Sequence, residues 1–93
     1  MIYCVYILSN KRRTVFYTGV TRNLRRRVLR HKDGTASVFT KKYNCNELLY
    51  YEEYGLINDA IKREKELKKF KRDWKFQLIT KMNPEWVDLS SEW

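Results

Sequence analysis

Ile2-Tyr3-Cys4-Val5-Tyr6-Ile7-Leu8, Ser9-Asn10-Lys11-Arg12-Arg13 and Thr14-Val15-Phe16-Tyr17-Thr18-Gly19 follow one another without a break, and their reading decides the fold. The first run carries β-branched or aromatic side chains toward both faces, as a strand buried on each side does. The last run repeats that character. The five polar and basic residues between them are a usual length for a hairpin loop, so an antiparallel pair is predicted. Gly19 closes the second strand, where a missing Cβ lets the backbone turn or lets a ligand approach closely.

An arginine-loaded helix follows, through about Lys32, with Thr21 or Asn23 as its cap. Leu24 and Val28 form its apolar seam, and Arg27 and His31 lie one turn apart on a neighbouring stripe. Arg25, Arg26 and Arg30 are left to face solvent or a phosphate backbone. Asp33-Gly34 stops the helix. Residues 34–46 read as a polar, basic connection containing Phe39, Lys41, Lys42 and Tyr43. Glu47 to Tyr54 reads as a third strand, whose paired acidic residues suit a sheet edge. Asn58 or Asp59 is expected to cap a second helix through roughly Phe70, with Ala60, Ile61 and Leu67 facing inward. Glu64 falls within that stripe, four residues after Ala60 and three before Leu67. A carboxylate there must be paired, hydrogen-bonded or holding a cation. A third helix is predicted from about Arg72 to Lys81 with Trp74, Leu78 and Ile79 inward. Beyond it, Trp86 and Leu89 are expected to pack back onto the domain.

With 93 residues the chain has room for one modest core, so a single domain over 1–93 is expected. Twenty Lys and Arg against eleven Asp and Glu leave a net charge of +9, which points to a polyanionic partner, nucleic acid first. The plain alternative, charge serving solubility alone, fits poorly because the basic residues are clustered. No run is long and apolar enough to span a bilayer and the start lacks a signal-peptide layout, so no membrane association and a cytoplasmic location are expected. Cys4 and Cys45 are isolated, which favours reduced, buried thiols over a disulfide or a zinc site.

Val5-Tyr6 followed by Tyr17-Thr18-Gly19, then Asn23-Leu24-Arg25-Arg26-Arg27, His31, and Ala60-Ile61-Lys62-Arg63-Glu64 resembles the motif series of the GIY-YIG nuclease superfamily. The order and spacing carry the likeness, since each motif alone is degenerate. Among its members the chain most resembles the small stand-alone proteins of the YhbQ type, related to the nuclease subunit of bacterial excision repair. The likeness covers residues 2 to about 80, with 81–93 as a tail. It implies an α+β fold, a three-stranded antiparallel sheet flanked by helices. It also implies that Tyr6, Tyr17, Arg27 and Glu64 work around one divalent cation, with His31 one turn past the arginine. The departures are Cys4 for the first glycine of the leading motif, Thr18 for the central isoleucine of the second, Val20 where some repair nucleases have lysine, and Arg25 where close relatives are often acidic. None removes a presumed catalytic group.

Hydrolysing a phosphodiester needs an activated water, neutralisation of transition-state charge and a stabilised leaving oxygen. Glu64 is the metal anchor expected here, a hard oxygen ligand suited to Mg²⁺ or Mn²⁺. Arg27 offers a charge-assisted fork to the non-bridging oxygens. Tyr17 is assigned to deprotonating or orienting the water, with Tyr6 supporting it by a hydrogen bond, and the two roles can be exchanged. His31 is a second candidate base. Against these stand plainer roles: strand aromatics packing across a hairpin, one solvated arginine among five, a histidine meeting terminal helix carbonyls, and a glutamate paired with Lys68. DNA contact is expected at Lys11, Arg12, Arg13, Gly19, Arg22, Arg25, Arg26, Arg30, Lys41 and Lys42, contacts that position phosphates without reading bases. Three readings follow: a metal-dependent DNA endonuclease, a binding module of the same fold with little cleavage, and an interaction protein for an acidic partner. Branched, single-stranded and duplex DNA stay open as substrates, with targeting left to DNA shape or to a protein partner.

Overall fold

The computed structural model describes residues 1–93, with β1 (Tyr3–Ser9), β2 (Phe16–Thr21), α1 (Leu24–Lys32), α2 (Val38–Tyr43), β3 (Glu47–Tyr54), α3 (Ile57–Lys68) and α4 (Arg72–Met82) in chain order. The three strands form one antiparallel sheet in the order β2-β1-β3. β1 is therefore central, and its side chains are buried on both faces from Cys4 to Ser9. That explains why it lacks the apolar–polar alternation of a one-sided strand. The acidic β3 lies at an edge, as its charges suggest.

Each face of β1 feeds a separate core. Val5 and Ile7 pack with Leu49, Tyr50, Ala60, Leu67 and Ile79 beneath α3 and α4. Tyr6 and Leu8 pack with Val28, Cys45 and Leu48 on the α1 side. Along β3, the register slips between Ile7↔Tyr50 and Leu8↔Leu48, leaving Leu49 unpaired. This bulge lets two consecutive residues, Leu49 and Tyr50, enter the same core. Both thiols are free and buried. Cys4, opposite Thr21 across the β1–β2 pair, fits the central strand without disturbing the register.

Three sequence expectations need correction, and one choice is settled. The connection 34–46 contains α2, capped by Ser37 accepting from Thr40 N and closed by Asn44 in the left-handed conformation at φ 56°. A helix of six residues is too short to announce itself by periodicity. Of the two caps expected for α1, Asn23 is the one used, accepting from Arg26 N. α3 starts at Ile57, before Asn58 and Asp59, and its cap position Leu56 makes no side-chain bond; Asp59 instead sits in the first turn, where the helix dipole favours an anion. Trp74 points outward at 59% exposure, its ring edge-on to Phe70, while Leu78 and Ile79 do face inward.

The segment after α4 packs back as expected. Trp86 lies edge-to-face against Phe16 and Phe76, and Leu89 N–H donates to Leu48 O at 2.8 Å. Buried Asn83 donates to Leu49 O and Val87 O. Asp88 accepts from Leu48 N, Ser90 and Lys32 Nζ, pinning the tail to β3 and to the end of α1.

Candidate active site

β1 and β2 set the centre of the site. Tyr6 and Gly19 are cross-strand partners, and Tyr17 faces Leu8 two residues along on the same side of the sheet. Tyr6 is fully buried. A Cβ built on Gly19 would sit 2.5 Å from its hydroxyl and 2.6 Å from Cζ, so the bare glycine is what makes room for the phenol. The space over Gly19, expected to admit a ligand, is filled by the protein's own Tyr6.

The Tyr6 hydroxyl lies 3.0 Å from His31 Nε2, and His31 Nδ1 lies 2.9 Å from Thr40 Oγ1. Burial, then the nearby Arg27 cation, pushes the imidazole pKa down to about 4, so the ring is neutral at pH 7. Burial, then Tyr17, raises Tyr6 to about 12; Glu64 adds to this, and Arg27 opposes it by charge and hydrogen bonding. Tyr6 therefore keeps its proton, and because the Thr40 hydroxyl donates its own to Ser37 O, His31 Nε2 is the nitrogen left to accept from Tyr6. The imidazole must then carry its own proton on Nδ1 and donate to Thr40, whose hydroxyl passes on to Ser37 O and Oγ at 3.3 and 3.1 Å. The chain Tyr6–His31–Thr40–Ser37 ties the β1 phenol to the start of α2.

This geometry revises two expected contacts. Tyr6 hydrogen-bonds His31 rather than Tyr17. His31 is not a helix-end histidine on terminal carbonyls: it is buried, with both nitrogens engaged, so its route to a substrate runs through the Tyr6 hydroxyl. Tyr17 is half-buried, its ring 6.3 Å from that of Tyr6, 5.3 Å from His31 and 6.0 Å from Phe39. It is the phenol of the pair with access to solvent.

Arg27 also lines a wholly polar pocket of about 170 Å³ with Thr21, Arg22, Asn23, Arg26 and Arg30. None of its four arginines is in an ion pair; the pairs present involve Arg13, Lys32, Arg63 and Lys68. Four unneutralised guanidiniums around one small cavity suit a phosphate. Lys11, Arg12, Arg25, Lys41 and Lys42 are exposed. Arg13 differs, since its guanidinium is committed to Glu47 at 2.8 Å and to the carbonyls of Asn10 and Trp86.

Glu64 comes from α3, which packs on the face of the sheet opposite Tyr6, and its carboxylate is the last of the contributions that raise the Tyr6 pKa. Its side chain is 17% exposed, and its one ion pair is a 3.5 Å contact with the more exposed Lys68, the i,i+4 partner expected. No cluster of three acidic, histidine or cysteine ligands exists. A hard cation retaining most of its waters fits here: one carboxylate with a loose lysine contact leaves oxygen lone pairs free, and a substrate phosphate can complete the shell.

The sequence reading missed what holds α3 in place. The Glu52 carboxylate accepts from the Tyr50 hydroxyl, from the Tyr54 hydroxyl at 2.6 Å, and from Arg63 Nε and Nη2 at 2.9 and 3.1 Å. Burial opposes ionisation of this carboxyl, but Arg63 and the two phenols outweigh it and hold its pKa below the usual value. Arg63 immediately precedes Glu64, so the clamp fixes the turn that carries the site carboxylate. The signal was present as Tyr50, Glu52 and Tyr54 at alternate positions on one strand face.

The model of the GIY-YIG catalytic domain matches residues 2–77. The chain belongs to the GIY-YIG family. It is 33% identical over 76 residues to the UPF0213 protein SSP2268 of Staphylococcus saprophyticus, covering 82% of this chain and 92% of that one. It is 38% identical over 82 residues to a UPF0213 protein of Syntrophus aciditrophicus, covering 87% and 92%. The solution NMR structure of the UPF0213 protein BH0048 from Bacillus halodurans superimposes with a TM-score of 0.60 at 26% identity, covering 99% of this chain and 97% of that one. The protein is therefore a small GIY-YIG protein with the α+β fold that the motifs imply. The GIY-YIG family is a nuclease superfamily whose members act on nucleic acid and generally use divalent metals. No helix of this GIY-YIG protein is long and apolar enough to cross a membrane.

Proposed function

We propose that this protein is a divalent-metal-dependent endonuclease that hydrolyses DNA phosphodiester bonds, structure-selective or non-specific, in DNA repair or processing. The observation that carries this reading is the cluster of Tyr6, Tyr17 and His31, with the Tyr6 hydroxyl 3.0 Å from His31 Nε2 and the Tyr17 ring 6.3 and 5.3 Å from those two rings, on the side of the sheet covered by α1, whose Arg27 lines the basic pocket. Arg27 binds the non-bridging oxygens of the scissile phosphate, with Arg22, Arg26 and Arg30 holding an adjacent phosphate. Tyr17, the solvent-accessible phenol, orients the attacking water. Tyr6, protonated and anchored on His31, fixes the hydrogen-bond pattern behind it. Glu64 would hold Mg²⁺ or Mn²⁺, which when bound would supply Lewis-acid polarisation of the phosphate and stabilisation of the leaving 3′-oxygen.

The second reading is a nucleic-acid-binding module of the same fold with little cleavage by itself, and the single carboxylate already touched by Lys68 is the observation in its favour. Branched, single-stranded and duplex DNA incubated with Mg²⁺ or Mn²⁺ separates the two. Cleavage lost in both Glu64→Ala and Tyr17→Phe, with binding retained, supports the endonuclease. Binding without cleavage on every substrate overturns it.

A further inference from the structure

One surface beside the site has no part in the proposed hydrolysis. Phe39 and Tyr43, four residues apart on the same side of α2, are 43% and 40% exposed. Their ring centroids are 4.8 Å apart, and Phe39 is 6.0 Å from Tyr17. The three rings form a continuous aromatic path from the water-orienting phenol out into solvent. At its far end, Lys42 Nζ stands 5.3 Å from the centre of the Tyr43 ring.

A buried core cannot be the purpose of this face. The hydrophobic effect favours covering Phe39 and Tyr43, yet no element of the chain does so, while the neighbouring Thr40 is turned inward to hold His31. The charge around the rings selects what covers them. Neither α1 nor α2 carries a carboxylate, and between them they present Arg25, Arg26, Arg30, Lys41 and Lys42, Lys32 being paired with Asp88. Flat apolar π faces set among cations match flat bases set among phosphates. Duplex DNA keeps its bases stacked inside, so rings of this kind gain little from it. Unpaired nucleotides can lay their bases on successive rings while the backbone follows the lysines and arginines.

We infer that the Tyr17–Phe39–Tyr43 path is a stacking platform for unpaired bases, which directs single-stranded nucleic acid, or the single-stranded arm of a branched one, across the active site. This rests on the nucleic-acid reading above and adds the class of substrate to it.

The test reads binding in EDTA, so that it does not depend on cleavage. Affinities are measured by fluorescence anisotropy for a short oligothymidylate and for a duplex of the same length, at one fixed salt concentration. The native protein is expected to prefer the single strand. Tyr43→Leu and Phe39→Leu, which keep apolar bulk and remove the π face, are each expected to weaken single-strand binding on the order of tenfold with duplex binding unchanged. Tyr43→Phe is expected to retain the native affinity. Tyr43 does not touch Tyr17, so its variant remains informative if Phe39→Leu disturbs the site. Equal single-strand affinity in the native protein and both leucine variants overturns the inference, as does an equal loss on the duplex. Sedimentation showing a dimer that Tyr43→Leu dissolves also overturns it, because the face is then a contact between copies. A retained single-strand preference with no cutting once Mg²⁺ or Mn²⁺ is added supports the platform and sinks only the endonuclease.

Discussion

Replacing Gly19 with alanine should destabilise the protein, and the sign is informative. In a strand, where glycine costs conformational entropy and packs no side chain, Gly→Ala by itself is worth about 0.5–1 kcal/mol in favour of folding. Here the added Cβ would lie 2.5 Å from the Tyr6 hydroxyl, 2.6 Å from Cζ and 3.0 Å from Cε1, inside a wholly buried ring. Forcing the phenol aside costs about 1–3 kcal/mol as overpacking. Breaking its 3.0 Å bond to His31 strands a buried nitrogen, at about 1–3 kcal/mol more. The net is about 2–4 kcal/mol, which lowers the melting temperature of a domain this size by roughly 10–25 °C. Circular dichroism melts and urea titrations of Gly19→Ala, Tyr6→Phe, Tyr6→Leu and the two double variants measure it. Removing only the hydroxyl leaves Cζ in the way, so Gly19→Ala should stay costly in the Tyr6→Phe background. In Tyr6→Leu, which lacks the far end of the ring, the same change should become neutral or stabilising. An unchanged cost in that background, or a Gly19→Ala protein as stable as the parent, refutes the claim that this glycine exists to seat the phenol.

Three further outcomes follow from the same contacts. His31 binds its proton near pH 6.5 when unfolded and near 4 when folded, so the unfolded chain takes up protons first as pH falls. Stability contributed by the neutral ring is complete above pH 6.5 and is lost down to about pH 4, on the order of 3 kcal/mol. His31→Gln should flatten the stability profile between pH 6.5 and 5, above the range where carboxylates titrate. Thr40→Val should cost about 1–3 kcal/mol by leaving Nδ1–H unpaired, with Thr40→Ser restoring it, both read by urea midpoint. Arg26→Ala or Arg30→Ala should each reduce the slope of log affinity against log salt for duplex DNA by about 0.9, whereas Arg13→Ala, whose guanidinium is already paired with Glu47, should leave the slope unchanged and lower the melting temperature instead.

The parts of the fold that were legible in the sequence are those where a local pattern repeats. β1 is apolar on both faces because it is central, β3 is acidic because it is an edge, and Leu67 and Ile79 mark the inner sides of their helices. α2 was hidden because six residues hold too few turns to show a period, and its cap, Ser37, looks the same in a loop. At the site, the resemblance to the GIY-YIG motif series nominated Tyr6, Tyr17, Arg27, His31 and Glu64. What it could not supply is the depth of each group. The burial of Tyr6 and His31 depends on Gly19, Thr40 and α2, which are distant in sequence and meet only in the folded chain. The Arg13–Glu47 pair was invisible for the same reason, as was the choice of Arg63 as the cation that completes the Glu52 clamp.

Depth is also what divides the labour between the two phenols. Both begin with the same chemistry, and a sequence can exchange them freely. Once folded, Tyr6 is sealed, raised to about 12 and bonded to a neutral imidazole, so it keeps its proton at any pH at which DNA and protein are both intact. A group in that state can orient neighbours but cannot accept a proton. Tyr17 stands beside it at the surface, shares the His31 ring as a packing partner and faces the basic pocket side of the sheet. In the proposed hydrolysis, contact with water and substrate therefore falls to Tyr17, the less buried of the two phenols. The chain Tyr6–His31–Thr40–Ser37 makes a rigid back wall against which it is held, and the same wall ends on α2, the helix that carries Phe39 and Tyr43. A change at Thr40 consequently reaches in two directions, toward the phenol that fixes the site and toward the rings beside it.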